Sequence, residues 1–77
     1  MQGMIVVKAA FDPEARVWFV ESSDLAGLNV EADTLEALME KLPAAVLDLL
    51  EETGRTGELD VPIELIAHAS TRVRVPA

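Results

Sequence analysis

Arg16-Val17-Trp18-Phe19-Val20-Glu21-Ser22 is the stretch that decides the fold. In an extended chain successive side chains alternate between two faces, so Val17 and Phe19 point one way and Trp18 and Val20 the other. Valine and the aromatics favour that conformation because they pack well on a pleated surface. An antiparallel sheet with one solvated face should alternate apolar and polar residues. Here both faces carry large apolar groups. Something must cover each of them, and a single helix covers only one.

Working outward, Met4 to Phe11 reads as a first strand, with Ile5, Val7, Ala9 and Phe11 on one face and Val6, Lys8 and Ala10 on the other. Asp12-Pro13-Glu14-Ala15 is turn chemistry, since Pro presets φ and Asp caps locally, so the two strands form a hairpin with a loop of about four residues. Ser22 to Gly27 is a loop. Leu28 to Ala32 is a short third strand, with Leu28 and Val30 inward and Asn29 and Glu31 outward. Asp33 caps a helix and Glu36 reaches back in a capping box. The helix runs to about Thr53, its apolar positions Leu35, Leu38, Met39, Leu42, Val46, Leu49 and Leu50 following the 3.6 period. Pro43 removes one backbone bond and crowds the Met39 carbonyl, which predicts a kink; the stripe keeps its phase, which predicts one bent helix. Gly54 suits the position just past the helix end. After a loop over 55–60, Val61 to Ala69 reads as a fourth strand, with Val61, Ile63, Leu65 and Ala67 inward and Glu64 and His68 outward. Val73 and Val75 extend it or pair briefly. The order predicts an α+β fold, β-β-β-α-β, in which a small antiparallel sheet packs one long Pro-kinked helix on one face.

The 77 residues suffice for one domain, residues 1–77. A chain of this mass buries roughly 60% of its unfolded surface, exposing about 4,600 Å² when folded. That is a thin core for a chain whose hydrophobic fraction is 51%, and apolar surface left over favours a homo-oligomer, a dimer or larger. With no Cys there is no disulfide framework, thiolate zinc site or thiol nucleophile, and a single His excludes any two-His metal site. Fourteen acids against six bases give a formal charge of -8, which repels phosphate backbones and suits a basic partner. No segment approaches the roughly 20 apolar residues of a membrane helix. Met1-Gln2-Gly3-Met4 lacks the basic and apolar regions of a signal peptide, so the expected location is the cytoplasm.

The run from Glu21 to Leu38 (Glu21-Ser22-Ser23-Asp24-Leu25-Ala26-Gly27-Leu28-Asn29-Val30-Glu31-Ala32-Asp33-Thr34-Leu35-Glu36-Ala37-Leu38) resembles the central signature of the HicB-like antitoxin family. That signature runs valine, proline, aspartate, leucine, proline, glycine, cysteine, a short strand, then glycine, aspartate, threonine, leucine, glutamate, glutamate, alanine. Together with Phe11-Asp12-Pro13-Glu14-Ala15-Arg16-Val17-Trp18, the run looks closer still to an uncharacterised subgroup of small single-domain HicB-like proteins. The resemblance covers about residues 4–70. It departs at Ser23 and Ala26, where prolines are frequent, at Leu28, a frequent cysteine, and at Ala32, a frequent glycine. The resemblance implies a shortened ribonuclease-H-like topology in the same β-β-β-α-β order. It also implies neutralisation of a small basic ribonuclease toxin by direct binding, and assembly into dimers or larger. Many members carry a further C-terminal DNA-binding domain. Arg72 and Arg74 alone do not make one, so no direct nucleic-acid contact is expected.

Several residue types are set against chemistry. Asp12, Glu14, Glu21, Asp24, Glu31 and Asp33 lie near strand ends, but a two-metal nuclease needs convergent carboxylates holding ions about 4 Å apart. None of them except Glu21 falls mid-strand at a buried position. His68 alternates onto the outer face of the last strand, suiting a surface or interface better than a general base. Ser22, Ser23 and Thr34 suit loop and helix-start roles. No catalytic, cofactor-binding or metal-ligating residue and no cofactor is expected. Trp18 either packs beneath the helix or anchors an interface on the opposite face; in the first case Phe19 takes the open face. The interface candidates are Arg16, Trp18, Val20, Asp24 and His68. Between Ala9 and Gly54 eleven acids stand against Arg16 and Lys41 alone, which favours steering of a basic partner. The expected function is a non-catalytic HicB-like protein-binding module, the antitoxin of a toxin–antitoxin pair. The alternatives are a stand-alone oligomeric scaffold or small-ligand-binding protein and, third, a metal-dependent nuclease remnant.

Overall fold

The computed structural model describes residues 4–52, 54 and 60–76. The readings of the Met1–Gly3 start, of Thr53 as the helix end and of the 55–59 loop lie outside the described residues. Five elements follow in the order β1 (Ile5–Asp12), β2 (Val17–Ser23), β3 (Glu31–Ala32), α1 (Leu35–Glu52) and β4 (Ile63–His68). They build one four-stranded sheet of order β3-β2-β1-β4. Its pairings correct the antiparallel expectation. β1 pairs antiparallel with β2, and β2 with β3, but β4 lies parallel to β1, so the sheet is mixed. Parallel neighbours need a long crossover, and α1 supplies it by carrying the chain from one edge of the sheet to the other.

The hairpin turn is built by Asp12. Its Oδ1 accepts hydrogen bonds from the Glu14 and Ala15 amides at 3.0 and 3.3 Å, and Arg16 N donates to Asp12 O. Arg16 sits at φ 62°, in the left-handed region. Along the hairpin the register shifts between Lys8 and Ala9: Lys8 faces Ser22 while Ala9 faces Val20, leaving Glu21 as the extra residue of a β-bulge. The third strand is much shorter than Leu28 to Ala32. Only Glu31 and Ala32 pair with β2, with one further bond from Val20 N to Val30 O, although Leu28 is buried as expected.

α1 is one helix passing through Pro43, which lies on its exposed side. The cap is Thr34, one residue later than expected: its Oγ1 accepts from Ala37 N at 3.0 Å. At the other end Gly54, at φ +83°, donates to Glu51 O. The helix buries Leu38, Leu42, Val46 and Leu50. Leu42, Val46 and Leu50 pack with Val7 and Leu28; Leu38 packs with Ala9 and Ala32; the half-buried Val30 and Leu65 touch both groups. A fully buried leucine contributes about 1.5–3 kcal/mol relative to exposure. Met39, on the expected stripe, is instead 47% exposed.

Candidate functional site: an uncovered sheet face

The helix covers the face of the sheet that carries Val7, Ala9, Val20 and Leu65. The other face has no such cover among the described residues. The ladder registers place its side chains. Lys8 stands between Ser22 and Ile66, Ala10 between Phe19 and His68, and Val6 beside Glu64. Phe19 in turn faces Glu31, and Asp12 faces Val17. The result is an apolar strip of Val6, Val17, Phe19 and Ile66 edged by Glu21, Glu31 and Glu64, with Lys8 the one base among these residues. Ile66 is 44% exposed, large for a side chain that a sheet normally hides.

Across this face His68 Nε2 lies 2.8 Å from Glu21 Oε1. The bulge turns Glu21 toward β4, so the contact reaches over β1. Both side chains are about half exposed or more, so the bridge adds little to stability. Its effect is positional: it lays two polar side chains across the middle of the face, between Phe19 on the β2 side and Ile66 on the β4 side.

The interface candidates divide. His68 stands on the uncovered face. Arg16 lies exposed in the hairpin turn. Trp18 and Val20 pack on the helix side, against the Ala9–Ala32–Leu38 group and the Val7–Leu42 group respectively. Trp18 also meets Phe11 there, ring centroids 5.2 Å apart. This is the first of the two arrangements foreseen for Trp18, and Phe19 takes the open face. Asp24 is tied into the fold: its Oδ2 accepts from Val6 N at 2.9 Å and its own N–H donates to Val6 O, extending the β1–β2 ladder past its last pair. Sequence reasoning passed over Ile66 as a member of this face, whereas Val6 stands on it with Lys8 and Ala10 as the alternation of β1 placed it. The signal was present in Ile66, an apolar residue between inward-facing Leu65 and Ala67.

The remaining polar groups have local duties. Ser23 Oγ donates to Leu25 O and accepts from Leu25 N; Thr34 caps α1; Asp12 holds the turn. Lys41 Nζ donates to Glu31 O, fastening α1 to β3. Among the described residues no three His, Asp or Glu side chains gather where they would hold one ion. Nor is any helix among them long and apolar enough to cross a membrane.

A second exposed feature lies on the helix side. Leu35, Glu36 and Met39 of α1 and Leu65 and Ala67 of β4 line an open, mainly apolar groove of about 420 Å³. It exists because α1 leans toward β2 and β3, leaving the outer flank of β4 uncovered among the described residues. That is why Ala67, expected to be covered, is exposed.

No curated protein matches this chain. Among solved structures it is similar to the crystal structure of a hypothetical protein, TTHA1013, from the extremely thermophilic bacterium Thermus thermophilus. The two are 42% identical over 94% of this chain and 99% of that one, with a TM-score of 0.64. The model of a domain of unknown function, DUF1902, matches residues 4–77. A match over that span, on a β-β-β-α-β chain with one bare sheet face, means that this protein belongs to the DUF1902 family.

Proposed function

We propose that this protein is a non-catalytic binding module of the HicB-like kind, an antitoxin that neutralises a small basic ribonuclease by covering it with the uncovered sheet face. One observation carries the reading: the strip of Val6, Val17, Phe19 and Ile66, left bare by the helix and edged by Glu21, Glu31 and Glu64. An apolar centre with a charged rim is the anatomy of a protein interface, and Phe19 is its aromatic anchor. The charge of -8 supports a basic partner, because complementary fields speed encounter and penalise acidic competitors. The likeness of Glu21 to Leu38 to the HicB-like signature supports the antitoxin role.

The test is growth rescue. A small basic ribonuclease encoded beside this chain should arrest growth when expressed alone, and co-expression of this protein should relieve the arrest. Phe19→Asp, whose far-UV circular dichroism should match the wild type, should abolish relief and weaken the purified complex by about 100-fold or more. Relief that survives Phe19→Asp, or a toxin that forms no complex with the wild type, sinks the reading.

A further inference from the structure

Residues 70–76, Ser-Thr-Arg-Val-Arg-Val-Pro, alternate β-branched and basic side chains in the period-two pattern of a strand. Yet among the described residues this segment pairs with nothing. Every residue of it is exposed, with Val73 at 84% and Val75 at 77%. Nor does it fold back. The molecule is 61 Å long with a radius of gyration of 15.4 Å, where a compact chain of this length has about 11.5 Å. The accessible surface is 6056 Å², well above the roughly 4,600 Å² expected for its mass. An arm of this length spans about 25 Å when extended.

A bare acceptor exists on the same molecule. β4 is an edge strand, so its outer backbone groups have no ladder partner among the described residues, and it has neither the Pro nor the Lys that commonly blunts an edge. Beside that edge lies the apolar groove of Leu35, Met39, Leu65 and Ala67. The arm does not reach its own β4 edge. A return would need a tight hairpin at Ala69-Ser70, and neither residue favours the positive φ that such turns require.

We propose that two copies of this chain exchange these arms, each arm adding as a fifth strand, antiparallel, to the outer edge of β4 in the other copy. A two-fold axis passing beside Ala69 fixes the register. It sets Val73 against Leu65, Thr71 against Ala67 and Val75 against Ile63, with the valines entering the groove. On the opposite side Arg74 meets Glu64 and Arg72 meets Ile66. A slip of one residue would turn both arginines into the apolar groove and both valines onto the Glu64 side, which the pleat penalises at every position. Charge agrees with the choice of occupant. Taking Arg72 and Arg74 away from -8 leaves -10 on the rest of the chain, so each arm brings its positive charge to a strongly acidic body. The arms add at the β4 edge of the uncovered face, beside Glu64 and Ile66, and leave Val17 and Phe19 on its β2 side open; the exchange does not depend on what binds there.

Engineered cysteines test this directly, since the native chain has none. Leu65→Cys and Val73→Cys are made as separate chains and mixed in oxidant. Facing residues of an antiparallel pair lie about 4.5–5.5 Å apart, within disulfide reach. The mixture should give a covalent dimer on a non-reducing gel. Neither chain alone should, and neither should Leu65→Cys with Arg74→Cys. The wild type at about 50 μM should sediment as a dimer, and Val73→Asp/Val75→Asp, with an unchanged circular dichroism spectrum, as a monomer. A monomeric wild type, a dimer that survives the double Asp change, or no cross-link between the Leu65→Cys and Val73→Cys chains would overturn the proposal.

Discussion

Arg16 shows how a single backbone angle sets a residue's tolerance. At φ 62° its Cβ crowds the backbone, a conformation that glycine accepts freely and a β-branched residue resists. Arg16→Val should therefore lose about 1–2 kcal/mol, while Arg16→Gly should stay within about 0.5 kcal/mol of wild type, both read by urea denaturation. A comparable loss in the two variants would show that the side chain, and not the angle, matters here. At the same scale, the sequence left Trp18 two homes, one under the helix and one in an interface. Alternation says which residues share a face and is silent on which face the helix covers. Packing decided it: Trp18 faces Ala32 across the ladder, and the small alanine leaves room for the indole beside Leu38.

Elements repeat the lesson with different physics. The helix was legible because seven apolar residues at the 3.6 period outweigh one proline, and Leu38, Leu42, Val46 and Leu50 are indeed its buried set. Its cap was legible only to within a residue, since Asp33 and Thr34 both have capping oxygens and the hydrogen bond to Ala37 selects Thr34. Thr34→Ala should lose about 1 kcal/mol of stability. Pro43→Ala should gain about 1–2 kcal/mol, because it restores the bond to the Met39 carbonyl and relieves the crowding around it, less what proline contributes by stiffening the unfolded chain. Thermal midpoints of the two variants should move in opposite directions, down and up; a fall in both would mean that Pro43 fits its turn without strain. β3 was over-read because Leu28 buries its side chain without joining the ladder and the half-buried Val30 joins it through its carbonyl alone, and burial mimics a strand. The bulge at Glu21 was invisible, since one extra residue leaves no mark on composition. So was the direction of β4, because a strand's side-chain pattern reads the same parallel or antiparallel.

For the whole molecule, stability rests on few groups. Leu38, Leu42 and Val7 are the largest fully buried side chains, and no polar side chain is buried among the described residues. Leu42→Ala, in the larger of the two groups, should lose about 2–5 kcal/mol. A chain this short has little more than that in total, so the variant should be largely unfolded at about 37 °C by circular dichroism. A Tm shift of only one or two degrees would mean that the core collapses around the gap. The uncovered face was legible in outline, since Val17, Trp18, Phe19 and Val20 announced two apolar faces. Its membership was not, because it takes β4 beside β1 to bring Ile66 and His68 next to Lys8 and Ala10.

The parallel pairing of β4 with β1 has a consequence for how the protein is made. Ile5 meets Ile63 and Ala10 meets His68, so the centre of the sheet joins its first strand in chain order to its last. Contacts so distant along the chain slow folding, because the loop between them must close before they stabilise anything. On the ribosome β1 can pair with β2 within moments, but its other edge stays bare until His68 has emerged. A nascent hairpin with an open apolar edge invites pairing with its neighbours on the same polysome. Lys8, the one charge on β1 between Ile5 and Phe11, stands in the middle of that edge, where a charge should disfavour such pairing.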